Sequence, residues 1–218
     1  MSILENWQRL DKFWKELDFE KLQACNIEVR KKLDENLSHT QSDLDDLKDI
    51  IIDFSSIERK FISATKEEIK ILQNRLGIKL PNSFKESLQI NVGDVIDGEY
   101  IYPWLGGWNC MLNIDDMMKY SLDKTEYYCI QKQTISFQER INLPIEYAYW
   151  NKKWLVFYDC NGDEQYVLNL DDTSSNYGEV LSVDMEFSTI ERLANSYEEW
   201  FDIATEETLK YGEILFLE

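Results

Sequence analysis

Histidine is almost missing from this chain, and cysteine occurs in no metal-binding pattern. The single histidine, His39, lies in the polar segment 36–42. The four cysteines form no Cys-x-x-Cys motif: Cys25, Cys110, Cys129 and Cys160. Nucleophilic catalysis by serine or cysteine needs a neighbouring base, and zinc sites are built mainly from histidine and cysteine. The sequence therefore predicts free thiols, no catalytic triad, no metal site and no disulfide framework.

Long apolar runs and glycine-rich phosphate loops are also missing. No stretch reaches the ~20 apolar residues that a membrane-spanning helix requires. The first residues lack the basic and then apolar layout of a secretory signal. No phosphate-binding or dinucleotide-binding glycine motif occurs. We therefore expect a cytoplasmic protein that has no membrane contact and no cofactor.

Positive charge is scarce, above all towards the C-terminus. The chain has 23 lysines and arginines against 42 aspartates and glutamates, a formal net charge of −19. Residues 159–218 hold 16 of these acids and only two bases, Arg192 and Lys210. Such a field repels nucleic acid and attracts basic proteins. Direct nucleic-acid binding is therefore not expected, whereas a basic protein partner is. Before any family resemblance is considered, solubility alone is the better explanation of such a charge run, and the basic partner is the functional alternative.

The first sixty residues follow a helical pattern. Apolar residues recur at alternating steps of four and three: Ile3, Trp7, Leu10, Trp14 and Leu17. This spacing predicts an amphipathic helix, and similar stripes over residues 22–37 and 44–61 predict two more. We interpret residues 1–60 as an N-terminal helical extension packed on a main domain of residues 61–218.

The main domain begins with a pattern that predicts two short helices joined by a rigid corner. Thr65 and Glu68 stand three residues apart before an apolar stripe, which is the spacing of a capping box. Gly77 supplies the left-handed conformation that ends a helix. Pro81 has no N–H to lose and therefore starts the next helix well. Gly93 is expected to end that second helix.

The clearest β-signal is a hairpin. Residues 154–158 form a compact apolar and aromatic run, and residues 165–170 form the returning strand. Asn161-Gly162 lies between them and tolerates the positive φ of a tight turn. The remaining strands are expected at residues 98–102, 108–112 and 179–183.

Two further helices are expected in this half of the chain. Residues 114–122 read as a short helix, with Asn113 as its cap. Ser188 and Glu191 have the spacing of a second capping box, so a closing helix is expected to begin there. Its apolar stripe is Leu193, Tyr197, Trp200, Phe201 and Ala204.

In order and spacing, these motifs resemble the SUKH superfamily, which includes the yeast cell-wall-assembly regulator and many bacterial toxin-immunity proteins. The first half of the resemblance is carried by Thr65, Glu67-Glu68-Ile69, Leu76-Gly77-Ile78, Leu80-Pro81, Phe84, Leu88, Asn91 and Gly93. The second half is carried by Trp154, Asn161-Gly162-Asp163, Asp171, Gly178 and Ser196-Tyr197-Glu198. The resemblance implies an α+β fold, with an antiparallel-rich mixed sheet surrounded by helices.

The resemblance also implies a binding protein without catalysis, an immunity protein that neutralises a cognate toxin domain, commonly a nuclease. In physical terms an acidic face would meet the basic cleft with which such a toxin binds nucleic acid. The candidate contact residues are Asp159, Asp163, Glu164, Asp171, Asp172, Trp104 and Trp108. The two tryptophans flank a Gly-Gly turn and fit the core or an interface equally well.

Two other functions remain open. A regulatory scaffold like the yeast regulator is the less favoured function, because that protein carries long disordered flanks and we expect none in this sequence. An enzyme would have to use carboxylates such as Asp115-Asp116 or Asp171-Asp172, but adjacent acids in an acidic chain are mostly solvated surface. A calcium loop starting at Asp159 is excluded, because Glu164 and Leu170 stand where that loop needs glycine and glutamate.

Overall fold

The computed structural model describes residues 1–18, 21, 61–93, 95–96, 99–100, 105, 110–130, 137, 139–141, 143, 145–160, 162 and 164–212. The helix predicted over residues 22–37 and all but the last residue of the one over 44–61 lie outside the described residues. Cys25, His39 and the C-terminal tail from residue 213 lie outside them too. The proposed division of the chain at residue 60 stays a prediction.

The described residues form an α+β structure, as predicted. Its helices are α1 (Ile3–Lys15), α2 (Lys66–Leu76), α3 (Asn82–Ile90), α4 (Ile114–Thr125) and α5 (Tyr197–Tyr211). Its strands are β1 (Val95–Ile96), β2 (Glu99–Tyr100), β3 (Cys110–Met111), β4 (Glu139–Ile141), β5 (Trp154–Cys160), β6 (Glu164–Asn169), β7 (Val180–Asp184) and β8 (Thr189–Ala194). A six-stranded mixed sheet has the order β3-β5-β6-β7-β8-β4. All its pairings are antiparallel except that of β4 with β8, and β1 and β2 form a separate antiparallel pair.

Helix α1 forms as its apolar stripe predicts. Ser2 and Glu5 make a capping box at its start, and Ile3, Trp7, Leu10 and Trp14 are buried. The helix packs against α3 and α5. The Trp7 indole N–H donates to the Ser87 hydroxyl at 3.1 Å, which ties α1 to α3. The first helix therefore belongs to the same packed body as the elements that follow residue 61.

The corner between α2 and α3 is also confirmed. Glu68 N–H donates to the Thr65 hydroxyl at 3.2 Å, and the Glu68 carboxylate accepts from Thr65 N–H at 2.7 Å. Gly77 closes α2 in the left-handed conformation, with φ +62°. Pro81 is the N-cap residue of α3. These local hydrogen bonds and backbone preferences need no distant partner, which is why the sequence pattern predicts them.

The end of α3 differs from its prediction. The helix ends at Ile90, and Asn91 is already extended, at φ −145°. Gly93 lies beyond the helix with φ +130°, and a Cβ placed there would stand 2.4 Å from the Leu112 carbonyl oxygen. The glycine is therefore required by the close approach of two backbone segments and not by the helix end.

The predicted helix at residues 114–122 is confirmed and runs further. Asn113 caps α4 by accepting from Asp116 N–H at 2.9 Å. After Thr125 the chain continues as a π-helical turn over Glu126–Ile130. Only parts of the strands predicted at 98–102 and 108–112 are described, and they appear as β2 and β3.

The β5–β6 hairpin confirms the strongest strand prediction. Its register pairs Trp154 with Asn169 and Cys160 with Glu164, and Gly162 in the turn has φ +87°. A register shift between Val156 and Tyr158 marks a bulge at Phe157. The rings of Phe157 and Tyr158 both contact Trp200 of α5, with distances between ring centroids of 4.9 and 5.7 Å.

The predicted capping box at Ser188 and Glu191 is wrong. Residues 189–194 form strand β8, which pairs with β7 through five Cα partners from Val180–Ala194 to Asp184–Thr189. The closing helix starts later, at Tyr197, where Ser196 accepts from Glu199 N–H at 3.1 Å. Both serines stand three residues before a glutamate, so spacing alone could not choose between them. Because residues 189–194 pair with β7, the helix begins after the second serine, Ser196.

Candidate functional site

The longest stretch without a positive side chain lies in the sheet. Between Lys153 and Arg192 the sequence has no lysine and no arginine. The acids in the same stretch are Asp159, Asp163, Glu164, Asp171, Asp172, Glu179, Asp184, Glu186 and Glu191. Strands β5, β6, β7 and β8 and their connections carry all of them, so the sheet decides which carboxylates share a surface.

The sheet separates the predicted contact residues into two groups. The β5–β6 turn and the β7–β8 turn lie at the same end, because Glu164 at the start of β6 pairs with Asp184 at the end of β7. Asp171 and Asp172 follow β6 at the opposite end. Five residue steps along β6 correspond to about 17 Å. The predicted acids therefore form two clusters at opposite ends of the sheet and not one patch.

Three carboxylates share one face at the turn end of the sheet. Glu164 is the direct partner of Asp184, and Glu191 is the partner of Ser182, two residues before Asp184. Alternation along strands places these positions on the same face. The Ser182 hydroxyl donates to the Glu164 carboxylate. Together with exposed Glu186 in the β7–β8 turn, we call Glu164, Asp184, Glu186 and Glu191 the acidic tip.

The acidic tip carries negative charge that no described cation pairs with. Within the described parts of the chain, none of its four carboxylates makes an ion pair. Like charges placed directly opposite on neighbouring strands destabilise a sheet. The arrangement of Glu164 opposite Asp184 is thus unfavourable for folding alone and favourable for a positively charged partner.

Asp159 belongs to the same end but is turned into the protein. Its side chain accepts from the Gln165 amide at 3.2 Å, and the residue is only 7% exposed. Asp159 therefore adds to the local field without offering contact surface. Three further predicted contact residues lie outside the described residues: Asp163, Trp104 and Trp108.

The opposite end of the sheet holds its acids differently. Asp171 accepts from the Thr173 hydroxyl at 2.7 Å and from the Asn151 amide at 2.9 Å. These hydrogen bonds, the Thr173 hydroxyl first, lower the pKa of the Asp171 carboxyl below its ordinary value. Asp171 is therefore charged and half-buried, with much of its hydrogen-bonding capacity used inside the chain.

Asp172, which is exposed, lines a cleft of about 650 Å³ between this loop and the α2–α3 corner. Lys79 and Lys153 line the same cleft. The Lys153 ammonium donates to the Gly77 carbonyl, and the Tyr177 hydroxyl donates to the Lys79 carbonyl. The Tyr177 hydrogen bond fastens the β6–β7 loop to the corner, and the Lys153 hydrogen bond fastens the start of β5 to it. The mixed charge of the cleft distinguishes it from the acidic tip.

A buried carboxylate lies at the same end of the sheet as Asp171 and Asp172. Glu179, 1% exposed, accepts from Arg192 Nε at 2.7 Å, from the Asn169 amide at 2.8 Å and from the Tyr147 hydroxyl. Burial, followed by the hydrogen bond to Glu179, raises the pKa of the Tyr147 hydroxyl. Because both carboxylate oxygens have partners, the network holds the β6–β7 loop to β8.

A scan against protein-family models matches residues 63–203 to the SMI1/KNR4 family, also described as SUKH-1. The chain belongs to the SMI1/KNR4 family. The matched segment starts just before the Thr65 cap and ends within α5, so it contains the whole acidic tip. Helix α1 lies outside it. A search of curated proteins found no match.

Within this member of the SMI1/KNR4 family, three of the four acids of the tip were missed from sequence: Asp184, Glu186 and Glu191. The mistaken start of the closing helix at Ser188 hid β8, the antiparallel partner of β7, and with it the cross-strand arrangement. The signal that could have found it is the alternation of residues 180–184 and 189–194, read as two strands of one hairpin.

The described residues offer little support for catalysis or metal binding in this SMI1/KNR4 protein. The part of the chain that the structure describes holds no group of three histidine, cysteine or acidic side chains suited to a metal ion. Cys110, Cys129 and Cys160 form no disulfide bond among the described residues. Burial raises the pKa of the Cys160 thiol strongly and that of the Cys129 thiol, which disfavours the nucleophilic thiolate. Among the described helices, none has the length and apolar character needed to cross a bilayer.

Proposed function

We propose that this chain is a non-catalytic cytoplasmic binding protein that neutralises a basic toxin domain, a nuclease, by covering its nucleic-acid cleft. Membership of the SMI1/KNR4 family supports a protein-binding role. The observation that carries the proposal is the acidic tip, four carboxylates at one end of the sheet, none of which forms an ion pair with a described residue.

The acidic tip acts mainly on the rate of association. A positively charged cleft is attracted over distances of about one Debye length, which is ~10 Å at 0.1 M salt, so encounters at this end of the sheet are favoured. Electrostatic complementarity raises association rates by roughly 10- to 1000-fold and affects dissociation less. Asp171 and Asp172 form a second candidate contact at the opposite end of the sheet. Asp163, which follows Gly162 in the sequence, stays a candidate as well.

The test begins with a search of the neighbouring reading frame for a large toxin, whose C-terminal domain is then prepared as a catalytically inactive variant. We expect its association rate with the wild-type chain to fall about 10-fold or more between about 20 mM and about 500 mM NaCl. Stopped-flow or surface-based kinetics measures this rate. An association rate that does not change with salt would rule out electrostatic steering.

A pair of charge-matched variants locates the contact. Glu164→Gln with Asp184→Asn neutralises two carboxylates of the acidic tip, and Asp171→Asn with Asp172→Asn neutralises two at the opposite end. We expect the first pair to slow association several-fold more than the second, because local charge dominates once the net charge is equal. The reverse order would move the contact to the cleft beside Asp172.

A further inference from the structure

The β7–β8 turn exposes a large aromatic side chain beside the acidic tip. Phe187 is 69% exposed, more than any other large hydrophobic residue in the described part of the chain. The turn comprises residues 185–188, between Asp184 at the end of β7 and Thr189 at the start of β8. Met185, in the same turn, is packed against the core. The turn thus directs one apolar side chain inwards and leaves the other in solvent.

Hydrogen bonding and backbone conformation define how Phe187 is presented. The Phe187 N–H donates to the Asp184 carboxylate at 2.9 Å. Ser188, the next residue, has φ +55° and is the only described residue other than glycine with a positive φ. A defined turn presents an aromatic ring with less loss of conformational entropy on binding than a flexible loop does.

The charge around Phe187 distinguishes it from other exposed aromatic residues. A single exposed apolar residue is common and needs no special explanation. Tyr149, which is 56% exposed, has Lys152 and Lys153 close by in the chain. Phe187 instead follows Glu186 directly, and the nearest lysine or arginine in sequence, Arg192, pairs with the buried Glu179. Arg140 on the neighbouring strand β4 lies beside Ile190, and its guanidinium donates to the Phe137 carbonyl.

We propose that Phe187 is the aromatic anchor of a protein interface, and that its partner presents an apolar pocket rimmed by lysine or arginine side chains. This inference rests on the proposed function and names the chemistry of its partner. A ring that enters such a pocket loses its contact with water, while the carboxylates of the acidic tip meet the basic rim. Interfaces commonly concentrate binding energy in a few such anchors, and charges around them fix orientation and rate.

The first experiment measures this chemistry with a defined probe, per-6-amino-β-cyclodextrin, which has an apolar cavity and a rim of ammonium groups. Neutral β-cyclodextrin is the matched host without charge. By titration calorimetry we expect the wild-type chain to bind the amino host several-fold more tightly than the neutral host at low salt. Phe187→Ala should weaken binding of the amino host about 10-fold, and Tyr149→Ala should change it less than about twofold.

Two results would overturn the inference: equal binding of the two hosts by the wild-type chain, or unchanged binding of the amino host by Phe187→Ala. Circular dichroism should show the same folded signal in both alanine variants, because each position is exposed. The Phe187→Trp variant retains an aromatic anchor and should bind the amino host as the wild type does.

The second experiment uses the inactive toxin domain described above. Here Phe187→Ala should raise the dissociation rate about 10-fold or more, whereas loss of charge at Glu164 and Asp184 should lower the association rate. A toxin domain that the wild-type chain does not bind refutes the proposed function. Binding that Phe187→Ala leaves unchanged refutes the anchor and leaves the proposed function standing.

Discussion

At the scale of single residues, Gly93 was correctly predicted to need glycine, but the predicted reason, the end of a helix, was wrong. Its φ of +130° follows the end of α3 by three residues. Asn91 and Val92 first pair with the chain at Ile62, through Asn91 Oδ1 at 3.2 Å and Val92 N–H at 2.7 Å. Gly93 then passes the Leu112 backbone at a distance that excludes any Cβ. The requirement comes from a segment about twenty residues away in the chain.

The first prediction concerns this contact. Gly93→Ala is expected to destabilise the fold by more than the about 1–3 kcal/mol that an unfavourable backbone conformation costs, because the new Cβ also meets the Leu112 carbonyl. Urea unfolding measures the loss. Gly162→Ala is the matched control, since φ is +87° there and no atom lies within 4 Å of the added Cβ. Equal losses in both variants would show that the contact with Leu112 has no role.

At the scale of elements, the sequence predicted those helices and turns that are stabilised by residues close to them in the chain. Helix α1, the α2–α3 corner and the β5–β6 hairpin were predicted because caps, glycines and alternation act within a few residues. Strand β8 and the π-helical turn after α4 were not predicted. Strand β8 depends on pairing with β7, and the serine-glutamate spacing at Ser188 imitates a helix start. The acidic tip could not be predicted for the same reason, because Glu191 lies on one face with Asp184 and Glu164 only when β8 pairs with β7.

The second prediction separates the two serine-glutamate motifs. Ser196→Ala should destabilise the protein by about 0.5–2 kcal/mol, because it removes the acceptor for Glu199 N–H at the start of α5. Ser188→Ala should change stability by less than about 0.5 kcal/mol, because that serine caps no helix. Chemical denaturation of both variants under one buffer condition measures the difference. A larger loss for Ser188→Ala would support a helix starting at residue 188 after all.

At the scale of the whole molecule, an aromatic core holds together a chain with strong internal repulsion. Trp7, Phe157, Tyr197, Trp200 and Phe201 are at most 1% exposed and join α1, the sheet and α5. Trp7 lies 4.9 Å from Phe201 between ring centroids. The Ser87 hydroxyl accepts from the Trp7 indole and shares a hydrogen bond of 2.8 Å with the Tyr197 hydroxyl. The net charge of −19 opposes this packing through self-repulsion.

The last prediction follows from that balance. Raising NaCl from about 0.02 M to about 0.3 M should raise the midpoint of urea unfolding, because screening shortens the reach of repulsion between surface carboxylates. The described surface ion pairs, such as Arg9 with Glu206, weaken under the same change, but each contributes only about 0–1 kcal/mol. The Glu164→Gln, Asp184→Asn variant has less repulsion to screen and should therefore respond less to salt. A midpoint that falls with salt would mean that ion pairs contribute more to stability than repulsion removes. Repulsion among the carboxylates of the acidic tip would then have no measurable cost to the stability of the fold. The acidic tip would then lose the physical reason for assigning it to a partner.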